Sequence, residues 1–427
     1  MKLSVVLSLL LLTFISCDNY AVLVAGSDTW SNYRHQADIY HAYQILKGRG
    51  MKQENIIVFA YDDIANNARN PFPGKVFNSP AGIDVYEGVV IDYFGADVTP
   101  KNFLAVLTGD ADGVTKKDSR TTGKVLTTTE NDNIFMFFSD HGSDNLIAFP
   151  SGYLYADELN DALNTMNEKK MYKQLVFYVE ACYAGSMFEK YLPSNIKIYA
   201  VTAANSHESS YGDYCGSEAK VNGTSIGTCL ADEFSRKYME DIDSRPGDLL
   251  KDYTLQDQYE YLVKAVTGSH VMQYGDLEVA QKSVYNFVSG ETKKFLNFFK
   301  NMVEIVLPKI NEETTKIRNE NYRLEWFRMQ AEQLNTIEAE NEYYEEVAQE
   351  GRTTKIFEIF KNEFKLPERN YKDDVNFDCY RKVVNAYEQK CGMLIDRDVK
   401  FMTHIANFCT QGINPEKAVD AFATICE

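Results

Sequence analysis

The chain has 427 residues, of which 44 are Lys or Arg and 62 are Asp or Glu, for a net charge of −18. That balance excludes a nucleic-acid phosphate backbone as a partner, and the length admits a large core plus a second domain. Past Cys17 no stretch is long and apolar enough to cross a bilayer, so no transmembrane anchor is expected.

Lys2 is followed by the nearly all-apolar run 3–15 and then by polar Asp18-Asn19. This predicts a secretory signal peptide over residues 1–17 and a protein that is secreted or held in a vesicle lumen. The Ile15-Ser16-Cys17 ending also admits a bacterial lipoprotein site. Residues 20–26 read as a first strand, and Ala37, Tyr40, Ile45 and Leu46 then recur at helical spacing until Gly48 and Gly50 stop the helix. Residues 56–60 form a second strand, and residues 61–95, rich in Asp, Asn, Gly and Pro, read as a long excursion of turns. Thr99 opens a helix with Pro100 at its first position and Phe103, Leu104 and Leu107 on one face.

A strand over 133–138 ends in Ser139-Asp140-His141-Gly142, and a helix follows around 156–166. The apolar run 175–179 is a strand buried on both faces, and Glu180-Ala181-Cys182-Tyr183-Ala184-Gly185 after it reads as a tight turn into a helix. Cys182 would then lie near a helix N-terminus, where a thiol pKa falls. Residues 196–202 are a further strand, 203–228 a polar loop carrying Ser209 and Ser210, and 229–242 a helix. Alternating helices and buried strands predict an α/β fold with a mostly parallel, doubly wound sheet flanked by helices. Ligands bind such sheets at the carboxyl ends of the strands, and Asn32, His141, Cys182 and Ser209 all follow strands.

Beyond Phe287 strand signals fade, and Ser289-Gly290-Glu291 looks like a boundary. The expected divisions are 18–290, a joining segment 291–323 and a helical tail 324–427. Leu324, Phe327, Ala331, Leu334 and Ile337 follow helical spacing, with Tyr344 and Val347 on the same stripe. Removing Cys17 leaves seven cysteines, an odd number that points to one free thiol. If Cys182 is that thiol, two remain for the front domain and four for the tail. There is no CxxC pair or close His/Cys cluster, so neither a metal nor a cofactor is expected. Asn222-Gly223-Thr224 is the glycosylation sequon.

Chemically, His141 can take the proton of the Cys182 thiol and return it to a departing amine, with Asn32 orienting the imidazole. The backbone N–H groups of Cys182 and Gly142 would face a developing oxyanion, and a glycine at 142 lets a substrate carbonyl come close. Asn32-Tyr33-Arg34-His35-Gln36-Ala37-Asp38, Ser139-Asp140-His141-Gly142-Ser143 and Glu180-Ala181-Cys182 resemble the legumains, asparaginyl endopeptidases of the caspase-like clan. Ala203-Ala204-Asn205, Glu208-Ser209-Ser210-Tyr211, Met239-Glu240-Asp241 and His270-Val271-Met272-Gln273-Tyr274-Gly275 extend the likeness from Tyr20 to about Phe287.

The resemblance implies Cys182 as nucleophile, His141 as base and Asn32 as third residue, with Arg34, His35, Glu180, Ser209 and Asp232 around the residue before the cut. The position of Asp232 is open by a residue or two, because of the loop between Cys215 and Cys229. An arginine can donate to a side-chain carbonyl while carboxylates accept from its NH₂, which describes an asparagine amide. The likeness also implies the pairs Cys215–Cys229, Cys379–Cys409 and Cys391–Cys426, the last two in a C-terminal prodomain that inhibits the enzyme. Implied partners are peptides with Asn before the scissile bond (Asp at acid pH), the chain's own prodomain and cystatin-type inhibitors. The implied compartment is lysosomal, vacuole-like or extracellular.

Self-cleavage would follow Asn297, Asn301, Asn311, Asn319 or Asn321, with Asn319 and Asn321 favoured. The expected trigger is acid, protonating carboxylates on both domains, although relief of their mutual repulsion works the other way. Residues 311–350 alone hold 4 basic residues and 11 Glu, a net of −7. Two alternatives share the scaffold. A peptide asparaginyl ligase would intercept the thioester with an amine, and the catalytic subunit of the GPI transamidase shares Asn70-Pro71-Phe72-Pro73-Gly74 but lacks the four-cysteine tail.

Overall fold

The computed structural model describes residues 18–245, 249–290 and 314–426. The expected signal segment and the candidate cleavage residues Asn297, Asn301 and Asn311 lie outside these.

A seven-stranded sheet organises the first part of the chain. Its strands are β1 (Asn19–Ala25), β2 (Ile56–Ala60), β3 (Tyr93–Phe94), β4 (Asn133–Ser139), β5 (Gln174–Glu180), β6 (Ile198–Thr202) and β7 (Met272–Gly275). Their order is β7-β6-β5-β4-β1-β2-β3, and all pairings are parallel except β7 against β6. Strands buried on both faces need apolar side chains at every position, which is why β1, β4 and β5 read as unbroken runs rather than alternations. Odd and even residues then feed two cores. Leu23, Phe137 and Tyr178 pack on one face with Tyr40 of α1 (Tyr33–Gly48) and Tyr238 of α4 (Glu233–Asp243). Val24, Phe138 and Val179 pack on the other with Phe103 of α2 (Pro100–Thr108) and Leu163 of α3 (Ala156–Glu168).

The Thr99 side chain accepts from the Asn102 N–H, which caps α2 at the expected residue. The turn-rich excursion delivers one element with no sequence signal, the two-residue strand β3. The helix expected from Cys229 begins only at Glu233, because Ala231 and Asp232 pair antiparallel with Asp213 and Gly212. The sequon Asn222-Gly223 forms an exposed hairpin turn, with φ of 50° and 81° at the two residues, the backbone that Asn-Gly favours.

The tail differs from its expected stripe. One helix (Tyr322–Leu334) ends at Asn335, whose φ is 50°, and a second (Ile337–Glu363) starts behind the Thr336 cap. The first helix buries Tyr322, Trp326 and Gln330, while Leu334, Ile337 and Tyr344 are exposed. The helical spacing of the stripe implies one continuous helix, and the break at Asn335 rotates its second half away. Phe357, Tyr380, Met402, Phe408 and Phe422 form a separate core that also takes in Leu146 and Tyr155 from the first part of the chain. Disulfides Cys379–Cys409 and Cys391–Cys426 staple it, and Cys215–Cys229 closes the front loop. Among the described residues Cys182 is the free cysteine.

Candidate active site

Parallel pairing sets Ser139 opposite Glu180, so the two chains leave the sheet side by side. His141 and Cys182 each stand two residues beyond these partners, at the carboxyl edge. The exit is tight. A Cβ on Gly142 would stand 2.4 Å from the Cys182 carbonyl oxygen and 3.1 Å from the Ala181 Cβ. Gly142 thus serves first to let these two turns touch, beyond any room it leaves for substrate.

His141 Nε2 lies 2.9 Å from Asn32 Oδ1. Asn32 Nδ2 donates to the Asp28 carbonyl at 3.1 Å and to Asp396 Oδ2 at 3.0 Å, so the amide presents its oxygen to the ring. The imidazole proton therefore sits on Nε2, and Nδ1 is left as the base. Cys182 Sγ lies 3.2 Å from Ser209 Oγ and 3.9 Å from Ser210 Oγ. Cys182, His141 and Asn32 are all buried under the tail.

The helix expected after Cys182 is only the 3₁₀ turn Ala184–Met187, entered through Tyr183 at φ 56°. A turn this short carries little dipole. Burial instead pushes the thiol up to about 11, opposite to the expected lowering. Burial, then the Arg34 charge, pushes His141 down to about 3. In this closed form both the thiol and the imidazole are neutral, which is a resting state.

Next to the dyad, Arg34 Nε donates to Asp232 Oδ1 at 2.9 Å, both side chains being fully buried. That contact places Asp232, whose alignment the sequence left open, against Arg34. The Asp232 N–H donates to Asp38 Oδ2 at 3.3 Å, and Ser139 Oγ and Asn78 Nδ2 also donate to the Asp38 carboxyl. Glu180 Oε2 accepts from the Ser235 N–H and hydroxyl at 3.0 Å each, in the first turn of α4. Burial and then the charge of Asp232 hold Asp38 and Glu180 well above the carboxylate range. Asp232 is raised by burial but drawn back by Arg34. Of these three carboxyls Asp232 is the one paired directly with Arg34.

His35 Nδ1 bonds Ser27 Oγ at 2.6 Å and lies 3.2 Å from Asp140, while Nε2 lies 3.5 Å from Asp232. Burial, then Arg34, keeps it neutral. Ligand atoms of His35, Asp140 and His141 lie within 4.8 Å of one another, but His35 and His141 are engaged by Ser27 and Asn32. Ser209 faces the thiol, and Ser210 faces the pocket in its place.

Into this pocket comes Asn319 from the joining segment. Its Nδ2 donates to Asp232 Oδ1 at 2.8 Å and to Ser210 Oγ at 2.9 Å, and its N–H to the Ser210 carbonyl at 3.0 Å. Ile317 and Arg318 pair antiparallel with Gly212 and Tyr211. Tyr322 lays its ring 4.0 Å from the Arg34 guanidinium. The tail closes the edge through Asn32–Asp396, through Arg323 on the same Asp396 at 3.2 Å, and through Arg369–Asp144 at 2.6 Å. The sequence reading did not single out Asp38, Tyr322 or Asp396 for the site. Asp38 carried a usable signal, one turn beyond Arg34 on a helix whose every residue near it is buried.

Residues 19–294 match the Peptidase C13 family, and residues 357–426 match the legumain prodomain. The chain belongs to the Peptidase C13 family. It is 38% identical over 434 residues to a vacuolar-processing enzyme of Citrus sinensis, covering 96% of this chain and 85% of that one. It is 50% identical over 270 residues to the legumain of Mus musculus, covering 63% of this chain and 59% of that one. Among solved structures it resembles caspase-1 of Spodoptera frugiperda at 10% identity, with a TM-score of 0.33 over 60% of this chain and 85% of that one. This is a legumain-type asparaginyl cysteine endopeptidase that carries its prodomain in the same chain.

In this C13 peptidase two carboxyls at the seam with the tail respond oppositely to acid. Burial, Asp63 and Asp396 raise Asp28 to about 6. Its contribution to the closed form is full below the usual carboxylate range and lost as pH rises through about 6. Burial also opposes Asp396, but the Arg323 charge and the hydrogen bond from Asn32 hold it below its ordinary value. Its contribution is present above the usual range and lost only as pH falls through that depressed value. The expected loosening in mild acid is therefore not carried by these groups, since Asp28 tightens the seam there.

Two outcomes follow. Gly142→Ala should lower kcat on an asparaginyl reporter about 100-fold, because the added methyl displaces the Cys182 backbone; unchanged kcat would refute that contact. In full-length Cys182→Ala, adding Asp28→Asn should raise Tm by a few degrees at about pH 7 and leave it unchanged at about pH 4. Thermal unfolding at the two pH values checks the sign.

Proposed function

We propose that the full chain is a zymogen whose joining segment occupies its own substrate site, with Asn319 as the residue before the cut. In this reading residues 18–290 are the catalytic domain, 291–323 the joining segment and 324–427 the inhibitory prodomain. The observation that carries it is the Asn319 amide on Asp232 and Ser210, behind an antiparallel pairing of Ile317 and Arg318 with the catalytic part. An extended segment added to a strand edge is a common way for a groove to hold a peptide.

Two features account for latency. Asn319–Asn321 coil into a 3₁₀ turn that runs into the helix at Tyr322, so the bond after Asn319 leaves the site wound instead of extended. The thiol beneath is neutral. Unwinding that turn would straighten the scissile bond and readmit water. Cys182 then attacks, His141 Nδ1 takes its proton and later protonates the leaving amine, Asn32 holds the ring, and the Gly142 and Cys182 backbones serve the oxyanion. Arg34, His35, Glu180 and Asp232 form the pocket walls. An acidic compartment of the secretory pathway suits this enzyme, and the relatives' vacuolar name supports that placement.

Wild type held at about pH 4.5 should convert to a core ending at Asn319, Cys182→Ala should stay full length, and Asn319→Gln should lose that terminus. Intact mass measures each, and a wild-type core ending at Asn321 would overturn the assignment. Asn321 donates nothing to the pocket; its Oδ1 accepts from Lys400. For substrates, a pocket already holding three carboxyls rejects an ionised aspartate and admits a protonated one. The Asp-to-Asn ratio of kcat/KM should therefore rise about tenfold per pH unit between about pH 6.5 and 4.5, measured on paired reporter peptides. A flat ratio would count against an Arg34–Glu180–Asp232 pocket.

A further inference from the structure

We infer that this peptidase has a subsite for a basic side chain at the fourth substrate residue, counting back from the cut with Asn first, and that Glu233 is its anionic floor. The inference rests on the reading of Asn319 as the residue before the cut. Arg318 lies opposite Tyr211 and Ile317 opposite Gly212, so Lys316 holds the fourth position. Its Nζ reaches Glu233 Oε1 and Thr267 Oγ1, each at 2.5 Å.

The carboxylate is built in before any ligand arrives. Glu233 is 1% exposed and follows Asp232 directly, so adjacent residues at the start of α4 serve the two subsites. Its Oε1 accepts from the Thr267 N–H at 2.9 Å and the Thr267 hydroxyl at 3.4 Å, and its Oε2 from the Gly268 N–H at 3.0 Å. A methyl on residue 268 would stand 2.7 Å from Glu233 Oε2 and 2.7 Å from the Tyr211 ring, so glycine is what lets the loop close on the carboxylate. Every fixed partner is a neutral donor. The cation that bonds it directly comes from the joining segment, and its departure leaves the buried carboxylate without that ion pair, with Lys237 of α4 as a further positive charge nearby. A substrate lysine or arginine restores the pair, and a substrate glutamate would set two carboxylates together.

The test uses enzyme autoprocessed from the full chain and peptides with Asn before the cut, Ala at the second and third positions, and Lys, Arg, Ala or Glu at the fourth. The kcat/KM for Lys and Arg should exceed that for Ala by about tenfold, with Glu lowest. Glu233→Gln should bring the Lys-to-Ala ratio to about one, and Glu233→Lys should invert the series in favour of Glu, which a misfolded enzyme could not do. Equal wild-type rates for Lys and Ala, with cleavage still after Asn, would overturn the subsite and leave the asparaginyl pocket standing. A second series walks the lysine along the peptide. A gain at the third or fifth position would overturn the register that puts Asn319 before the cut.

Discussion

The ion pair of Arg34 with Asp232 is the interaction on which the site depends. Both side chains are fully buried, at a distance of 2.9 Å, and a buried pair is costly unless its remaining donors and acceptors are used. Here the neighbours supply part of that use, and Arg34 Nη2 and Asp232 Oδ2 are left without a hydrogen-bond partner among the described residues. Asp38 accepts from the Asp232 backbone, Asn319 donates to the Asp232 carboxylate and Tyr322 covers the guanidinium. The tail reaches this charge pair through Asn319 and Tyr322, beside its separate contacts at Asp396 and Arg369.

The sheet supplies the frame. Parallel strands in register deliver His141 and Cys182 to neighbouring positions without any direct bond between those two side chains having to form first. The turn after β1 and the head of α1 bring Asn32 and Arg34, α4 brings Asp232 and Glu233, and the loop after β6 adds Ser209 and Ser210. The closeness of the Gly142 and Cys182 backbones ties the two strand exits together through one contact.

Much of this was legible in the residues, for physical reasons. Doubly buried strands leave continuous apolar runs, and β1, β2, β4 and β5 were recognised from them. Reactive residues directly after such runs fall at one edge by topology alone. What was not legible depended on distance. The thiol's upward shift comes from burial, with the Glu320 charge adding to it, so local reasoning from a helix N-terminus gave the wrong direction. The helix break at Asn335 turns on one left-handed residue that hydrophobic spacing does not register. Asp396, more than three hundred residues from Asn32, meets it only because the tail folds back. Ser209 and Ser210 are adjacent and chemically alike, and no spacing rule tells which one faces the thiol.

The two disulfides of the tail bear on what happens after the chain is cut. A segment stapled at Cys379–Cys409 and Cys391–Cys426 around its own aromatic core keeps its shape when severed. It then ceases to be a tethered part and becomes a separate molecule that still fits Asp144 with Arg369 and Asn32 with Asp396. Before the cut its hold is independent of dilution; afterwards it obeys mass action, and occupancy depends on the concentration of released tails. One covalent bond thereby converts a fixed lock into a dose-dependent brake.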